Sequence, residues 1–483
     1  MRDLLYDLLV LFLRLVTRVF FRSIEVSGLE NIPGAGPIVL VGNHPNSLLD
    51  PILISSTCQR RVRFAAKETL FHGPLRPFLW VAGAVAVKRR QDQVAGATED
   101  AGGATDAPAR VDNGAAFDAL TDVLRRGEAF GIFPEGISHT RPELAPLKSG
   151  AARIVLAAAS TSLPVQIVPC GLSYRHRDRM RSRVLVQFGT PIRLGELDDP
   201  WVEAFERDAT VAAKELTATI GIALRAQTIN AADFDTLRVL EACRRLYRPS
   251  GLKLSLAEQA ELMRRFIDGW ERLHDDVHVK GLYQDVALYL QELRALSISD
   301  SELRGALSWW EKALRLANHV FFLAVLVPMA LPGFFIHLPV LAAAIAASRT
   351  LTRRGDVRAT IQMGAVMALT GGAYAVAASF AYLNPPSWLS GMAAAASTLT
   401  LLLLSGAATL RVLDGQGEIR RGLWTLVTLL HFDRELLALR ARRDALRARL
   451  LSVVEMHMGD RERIIATADH KDAAPWLDDD DAP

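Results

Sequence analysis

Short apolar runs alternate with helical segments from Ile24 to about Ile192, and this alternation is typical of an α/β domain. The runs are rich in Val, Ile and Leu and end at Gly, Pro or polar residues, as buried strands do. The predicted strands are Ile38–Val41, Val62–Ala65, Ala84–Val87, Gly131–Phe133, Val165–Val168 and Val184–Phe188. The pattern therefore predicts a mixed sheet flanked by helices over about residues 23–198.

The strand pattern stops after Pro191, and residues 199–315 are predicted to form a region of successive helices. A further helix is predicted over residues 1–22, where Asp and Arg recur at helical spacing and apolar side chains cover the remaining surface. A helix with that division is expected to lie in a membrane interface and not to cross the bilayer. A core helix of the sheet domain is the alternative, and the pattern alone leaves it open.

An uncharged apolar segment from Leu316 to Ser348 predicts that the chain enters a membrane. The segment exceeds the roughly 20 residues of one crossing, and three prolines interrupt it. We therefore expect a helical hairpin or re-entrant pair at 316–348, followed by spans at 361–383 and 388–410. These segments make up an α-helical membrane domain over 316–410.

Arginine clusters flank the predicted membrane helices, in the loop 349–358 and again directly after residue 410. Because cytoplasmic loops carry an excess of basic residues, both clusters and the sheet domain are expected on the cytoplasmic face. The remainder, 411–483, predicts a basic amphipathic helix at Asp433–Val454 and a solvated acidic tail. That helix could lie against anionic lipid or pair with another helix, and its pattern fits both.

Composition agrees with membrane contact, since half of all residues are hydrophobic and the mean hydropathy is +0.17. The formal net charge of +3 is too small to indicate nucleic-acid binding. The three cysteines are widely spaced and allow neither a disulfide framework nor a zinc motif, so a reducing compartment is expected. Between about 91 and 113 the sequence turns to Ala, Gly, Thr, Asp and Pro, which predicts a disordered insertion.

The segment after the first apolar run carries the clearest candidate chemistry. His44 follows Ile38–Val41 directly, at the strand end where open α/β sheets place their reactive groups. An imidazole can take a proton from an alcohol, and a nearby carboxylate such as Asp50 can hold the ring in one tautomer. A loop histidine beside a helix-capping aspartate is the plainer interpretation of this pair by itself.

Four motifs occur in order, and together they resemble the glycerolipid acyltransferase family over about residues 25–195. They are Asn43–Asp50, Gly83–Arg89, Phe133–Gly136 and Ile167–Pro169. One departure is the spacing: five residues separate the histidine and aspartate, whereas four are usual in the family. This spacing, with Pro169–Tyr174 and Arg181–Arg183, is most similar to the branch that acylates glycerol 3-phosphate or dihydroxyacetone phosphate.

The resemblance implies a role for each matched residue. It makes His44 the general base and Asp50 its orienting partner, with a substrate hydroxyl as the nucleophile. Arg89 and Lys148 match positions that hold the acceptor phosphate, and a guanidinium beside an ammonium suits that role. Glu135 would accept hydrogen bonds from acceptor hydroxyls. Gly136 would let the backbone approach closely.

The expected reaction uses acyl-CoA or acyl-carrier protein as co-substrate, with no cofactor and no metal. The product is a monoacylated glycerol or dihydroxyacetone phosphate of phospholipid biosynthesis, and the expected partners are these substrates and membrane lipids, without nucleic acid. Two alternatives remain at this stage. One is a lysophosphatidate acyltransferase that makes phosphatidate, and the other is a catalytically silent membrane scaffold, against which the intact motifs argue.

Overall fold

The structure is a computed structural model that describes residues 2–73, 75–88, 114–196, 199–248, 254–296, 300–303, 309–431 and 433–457. These residues form two compact units. The sheet unit comprises Met1–Asn230 and Ser348–Ile361, and the helical unit comprises Ala231–Ala347 and Gln362–Pro483. The predicted insertion at 91–113 and the predicted acidic tail lie outside the described residues.

The sheet unit contains all six predicted strands and two more. The strands are β1 (Ser23–Ser27), β2 (Ile38–Gly42), β3 (Val62–Lys67), β4 (Val85–Val87), β5 (Ala129–Ile132), β6 (Val165–Tyr174), β7 (Arg183–Phe188) and β8 (Ile192–Leu194). The added strands β1 and β8 are short and mix polar with apolar residues, so their apolar pattern is weak.

The eight strands form one mixed sheet in the order β1-β7-β6-β2-β5-β3-β4, with β8 pairing the first residues of β6. Strands β2, β5 and β6 run parallel, while β7 and β8 are antiparallel to β6. The register places Val41 opposite Ile132 and Gly42 opposite Cys170. The loops that follow β2 and β5 therefore leave the sheet side by side.

Helices cover both faces of the sheet, which explains why β2 is an uninterrupted apolar run. Val39 and Val41 belong to one buried cluster, and Ile38 and Leu40 belong to the other. The helices of this unit are α1 (Arg2–Phe20), α2 (Leu49–Thr57), α3 (Arg76–Ala82), α4 (Gly114–Arg125), α5 (Gly150–Ala159), α6 (Pro200–Arg207) and α7 (Ala209–Arg225).

The N-terminal helix α1 packs on the sheet unit with one face only. Its Tyr6 is buried and exchanges hydrogen bonds with the backbone of Val62. The opposite face exposes four leucines, Leu4, Leu8, Leu11 and Leu15. An apolar face left in contact with solvent is what an interfacial helix requires, and the interfacial location stays a prediction.

The helical unit begins with a small bundle. The remaining helices of the described chain are α8 (Phe234–Tyr247), α9 (Leu256–Leu273), α10 (Val277–Ala295), α11 (Asp300–Leu303), α12 (Trp309–Thr350), α13 (Gly355–Leu383), α14 (Gly391–His431) and α15 (Asp433–His457). The basic helix α15 buries Leu439, Leu446 and Leu450 in one cluster with Val286 and Tyr289 of α10. Its apolar side therefore pairs with helices of its own chain, while contact of the helix with anionic lipid stays a prediction.

One continuous helix occupies the segment where the sequence predicts a hairpin. Helix α12 runs for 42 residues with Pro328, Pro332 and Pro339 inside it. Ser405 of α14 accepts a hydrogen bond from Gly333 N at 2.7 Å and donates one to Ala330 O at 2.8 Å. A neighbouring side chain thus satisfies backbone groups beside the proline, and the helix continues through it.

Three helices are long and apolar enough to cross a membrane. The candidate spans are Ala324–Thr350, Gly355–Leu383 and Gly391–Gly415. The second and third coincide closely with the spans that the sequence predicts at 361–383 and 388–410.

Candidate active site

The candidate site lies where β2 and β5 end. His44 follows β2 by two residues and Glu135 follows β5 by three, and the parallel register brings the two loops together. His44 N donates to Glu135 Oε1 at 2.7 Å, which joins the loops directly.

His44 and Asp50 form a buried hydrogen-bonded pair. The distance from His44 Nδ1 to Asp50 Oδ2 is 2.8 Å, and Asp50 is fully buried at the start of α2. Since the carboxylate accepts from Nδ1–H, the lone pair of His44 is on Nε2. Asp50 also accepts hydrogen bonds from Asn46 N at 2.7 Å and from the Tyr174 hydroxyl at 2.6 Å. It therefore orients the imidazole, and it does not cap α2, whose cap residue is Leu48.

The extra residue between His44 and Asp50 is accommodated in the turn before α2. Ser47 has a φ of +48°, a left-handed backbone conformation that residues other than glycine seldom adopt. With this turn the five-residue spacing still delivers Asp50 to the ring. The departure from the usual spacing therefore leaves the pair intact.

Two further contacts hold His44 in place. The ring of Phe133 stacks on the imidazole with a centroid distance of 4.2 Å and an interplanar angle of 8°. The Asn43 side chain donates to Leu172 O at 3.0 Å and accepts from Leu172 N at 2.7 Å. Asn43 thus extends the β2–β6 pairing by one rung beyond the strand end, and it fixes the backbone from which His44 projects.

Glu135 is buried, and both of its oxygens already accept hydrogen bonds from protein groups. Oε1 accepts from His44 N, while Oε2 accepts from Ala145 N at 2.9 Å and from His139 Nε2. His139 N in turn donates to His44 O at 3.1 Å. The structure thus gives Glu135 a positional role beside its predicted role toward substrate hydroxyls.

Sequence reasoning missed His139, although its position four residues after Glu135 in the same motif is a usable signal. Arg141 N donates to His139 Nδ1 at 3.2 Å, so the proton of this ring is on Nε2 and points to Glu135. Both ring nitrogens of His139 therefore form hydrogen bonds within the protein.

Gly136 and Lys148 are in contact. The φ of Gly136 is +73°, and a Cβ built there would lie 2.5 Å from Lys148 Nζ. Glycine suits this position because other residues are strained at such a φ, and a side chain here would also displace the end of Lys148. Lys148 is exposed, and it makes no ion pair with any residue that the structure describes. Its ammonium therefore stands free beside the loop that carries Glu135.

A small, open cleft adjoins this loop, and two arginines missed by sequence reasoning line it. These are Arg141 and Arg177, together with His139 and Asn230. Burial lowers the pKa of Arg177, and the nearby Asp50 carboxylate opposes that effect. The predicted phosphate ligand Arg89 lies outside the described residues.

Tyr174, the last residue of β6, was also missed as a site residue. Burial, reinforced by the Asp50 charge, raises the pKa of Tyr174 well above its ordinary value. The phenol therefore stays protonated across the neutral range and donates to Asp50. No group of three His, Cys, Asp or Glu side chains that could hold a metal ion occurs within the described part of the chain.

Two family models match successive parts of the sequence. Residues 23–173 match the model described as Acyltransferase, and residues 239–458 match the Glycerol-3-phosphate acyltransferase 2 C-terminal domain. The first covers the strands and loops that build the site. The second covers most of the helical unit.

Two proteins of Saccharomyces cerevisiae are among the relatives. Glycerol-3-phosphate O-acyltransferase 2 is 34% identical over 48% of this chain and 32% of its own length. Glycerol-3-phosphate O-acyltransferase 1 is 27% identical over 75% of this chain and 58% of its own length. The chain thus spans between about a third and three fifths of these relatives.

Among solved structures, the 1-acyl-sn-glycerophosphate acyltransferase PlsC from Thermotoga maritima is similar, with 21% identity and a TM-score of 0.31. That match covers 45% of this chain and 81% of the PlsC chain. The four ordered motifs, the two family models and the yeast relatives agree with one another. Residues 23–173 therefore match an acyltransferase domain, and the chain is similar to glycerol-3-phosphate acyltransferases in this domain and in most of its helical unit.

Proposed function

We propose that the chain is a membrane-bound O-acyltransferase that moves a fatty acyl group from a thioester to a hydroxyl of glycerol 3-phosphate or dihydroxyacetone phosphate. The donor is acyl-CoA or acyl-carrier protein. The observation that carries this proposal is the buried His44–Asp50 pair, whose geometry leaves His44 Nε2 as a proton acceptor. The names of the yeast relatives support glycerol 3-phosphate as the acceptor.

In this reaction His44 Nε2 takes the proton of the acceptor hydroxyl while the oxygen attacks the thioester carbonyl carbon. The tetrahedral intermediate collapses, the C–S bond breaks, and the leaving thiolate receives the proton from the imidazolium. Asp50 stabilises that imidazolium through the 2.8 Å hydrogen bond to Nδ1. Tyr174 donates to the same carboxylate and holds it in position. No enzyme nucleophile is required.

Cations near the site serve the acceptor phosphate. Lys148 offers an exposed ammonium that no described carboxylate neutralises, and Arg89 matches a phosphate-binding position of the family. Arg141 and Arg177 line the neighbouring cleft and add to the positive potential there. Because both substrates are cytoplasmic, the sheet unit faces the cytoplasm in this proposal.

The test is acyl transfer by the purified full-length protein in detergent. Labelled acyl-CoA and labelled acyl-carrier protein are each offered with glycerol 3-phosphate, dihydroxyacetone phosphate or lysophosphatidate. The proposal expects transfer to a water-soluble acceptor, with the His44→Ala variant as the inactive control. Transfer to lysophosphatidate alone would replace the acceptor, and transfer to none of the three by wild-type protein would refute the activity.

A further inference from the structure

The connection between the membrane helices α12 and α13 belongs to the sheet unit. Ser348–Ile361, which contains this connection, is part of the same compact unit as the strands and the candidate site. Within this stretch the buried residues are Ser348 in the last turn of α12, and Asp356 and Ala359 in the first turns of α13. The two helix ends that border the connection are therefore packed parts of the sheet unit.

Asp356 makes the central contact. Asp356 is 5% exposed, and its carboxylate accepts a hydrogen bond from the Ser138 hydroxyl. Arg354 binds the same carboxylate with two nitrogens, at 3.2 Å from Nε to Oδ1 and 2.6 Å from Nη2 to Oδ2. Arg354 Nη2 also lies 3.3 Å from Ser138 Oγ and 3.4 Å from Ser138 O. A buried carboxylate needs such donors, so the three groups depend on one another.

The backbone packs closely at the same place. A Cβ built on Gly355 would lie 3.3 Å from Thr140 Cγ2, so the connection approaches the loop within van der Waals distance. Asp356 and Gly355 therefore contact Ser138 and Thr140, the two residues next to His139 in the sequence.

The loop 136–140 is the segment that needs this support. It contains no helix or strand, so neighbouring groups determine its conformation. On its inner side His139 bonds to Glu135 and to the backbone of His44. On its other side Ser138 bonds to Asp356. The loop 136–140 therefore contacts His44 on one side and Asp356, in the first turn of α13, on the other.

We propose that Asp356, oriented by Arg354, is a positioning residue of the acyltransferase site. It holds Ser138, and through the loop 136–140 it keeps His139 on Glu135 and Glu135 on His44. The connection of two membrane helices is then a working part of the site and not only a link. This inference rests on the proposed function for its kinetic consequence, while the docking itself is independent of it.

The kinetic test compares neighbouring arginines of the connection. Asp356→Ala and Arg354→Ala are expected to lower kcat by roughly 10-fold to 100-fold, the cost of a misplacement near 1 Å, with little change in KM for the acyl donor. Arg353→Ala is the matched control, because Arg353 is an adjacent exposed arginine without a described contact to Ser138 or Asp356. Asp356→Asn keeps an acceptor for Ser138 and is expected to recover part of the loss.

A double-mutant cycle separates positioning from general damage. Ser138→Ala removes the donor and should lower kcat as Asp356→Ala does, while the double variant should lose little more than either single change. Additive losses, or an unchanged kcat in both single variants, would overturn the proposal.

Amide hydrogen exchange gives a readout that needs no activity. In Asp356→Ala the amides of residues 136–146 should exchange faster than in wild type, and in Arg353→Ala they should not. Unchanged exchange in Asp356→Ala refutes the docking. If wild-type protein transfers no acyl group, the proposed function fails, and the exchange result alone decides whether Asp356 holds the loop.

Discussion

The proposed chemistry depends most on His44, because His44 is the group that accepts the proton of the substrate hydroxyl. His44→Ala is expected to lower kcat by about two to four orders of magnitude, the usual cost of losing a general base. Asp50→Asn should lower kcat with little change in the acceptor KM, since it disturbs the tautomer and not binding. Both are measured by acyl transfer on variants with an unchanged circular dichroism spectrum. A near-normal rate in His44→Ala would contradict the mechanism.

Replacing Lys148 tests whether this residue binds the acceptor phosphate. Lys148→Ala should raise the KM for glycerol 3-phosphate by about 10-fold or more, because one charge-assisted contact to phosphate is lost, while the donor KM stays nearly constant. Arg153→Ala is a suitable control, since it removes an exposed cation of α5 one and a half turns further on. Arg89→Ala is expected to behave like Lys148→Ala. Equal losses for both substrates would point to a folding defect instead.

The raised pKa of Tyr174 makes the stability of the folded protein depend on pH. Burial and the Asp50 charge raise its pKa in the folded protein well above 10, the ordinary value that the unfolded chain keeps. The stabilisation is therefore complete below pH 10 and is lost progressively as the pH rises above that value. Tyr174→Phe lacks this dependence.

The measurement is thermal unfolding in detergent from pH 8 to pH 11. At pH 8 Tyr174→Phe should be less stable than wild type by roughly 1–3 kcal/mol, because Asp50 loses a donor. The difference should narrow above pH 10. A difference that stays constant over the whole range would mean that the phenol is not held protonated by its surroundings.

At the scale of elements, the turn between β2 and α2 sets the distance from His44 to Asp50. Ser47 occupies the left-handed region there, which disfavours branched side chains. Ser47→Val should therefore destabilise the protein by about 1–2 kcal/mol, while Ser47→Gly should be neutral or slightly stabilising. Thermal unfolding of the two variants decides the matter. Equal midpoints would show that the turn rearranges freely and does not define the spacing.

Helix α12 shows how one element depends on another. Three prolines would ordinarily interrupt the backbone hydrogen bonds of a helix, yet Ser405 of α14 supplies partners at Ala330 and Gly333. The hairpin expected at 316–348 is replaced by a continuous helix, and beside Pro332 a side chain from a distant part of the sequence supplies hydrogen-bond partners for the backbone.

At the scale of the whole molecule, the membrane topology can be tested at the two ends of α13. Cysteine at Thr350, beside the connection that belongs to the sheet unit, should be labelled only from the cytoplasmic side. Among the described residues no candidate span precedes α12, so this outcome means that α12 does not cross from one face of the bilayer to the other. Cysteine at Ser387, in the exposed turn before α14, should be labelled only from the opposite side, because α13 is long enough for one crossing.

The native cysteines interfere little with this experiment. Cys58, Cys170 and Cys243 are all buried, and burial raises the pKa of the Cys170 thiol, so their reactive thiolate form is rare. Labelling of both introduced cysteines from one side would mean that α13 does not cross. Labelling of Thr350→Cys from the outer side would place the connection, and with it the proposed site, on the wrong face for cytoplasmic substrates.

The sequence by itself determined the features that depend on local pattern. Buried strands leave apolar runs, and so all six predicted strands are present in the sheet. The pairing of His44 with Asp50 was a candidate because both residues flank a single turn between β2 and α2, and the resemblance to the acyltransferase family favoured it over a loop histidine beside a capping aspartate. Long uncharged segments likewise marked the candidate membrane spans, since the cost of burying charge in lipid acts on each segment separately.

Only the tertiary structure decided the contacts between residues distant in sequence. The hydrogen bond from Ser138 to Asp356 joins positions separated by 218 residues, and Ser405 reaches back to Gly333 over 72. Neither contact leaves a periodic signal, because each depends on where two separate elements come to lie. The same holds for Tyr174 at Asp50. Local periodicity therefore indicated the strands, and the four ordered motifs pointed to His44 and Asp50, while the packing of distant loops determined what holds that pair in place.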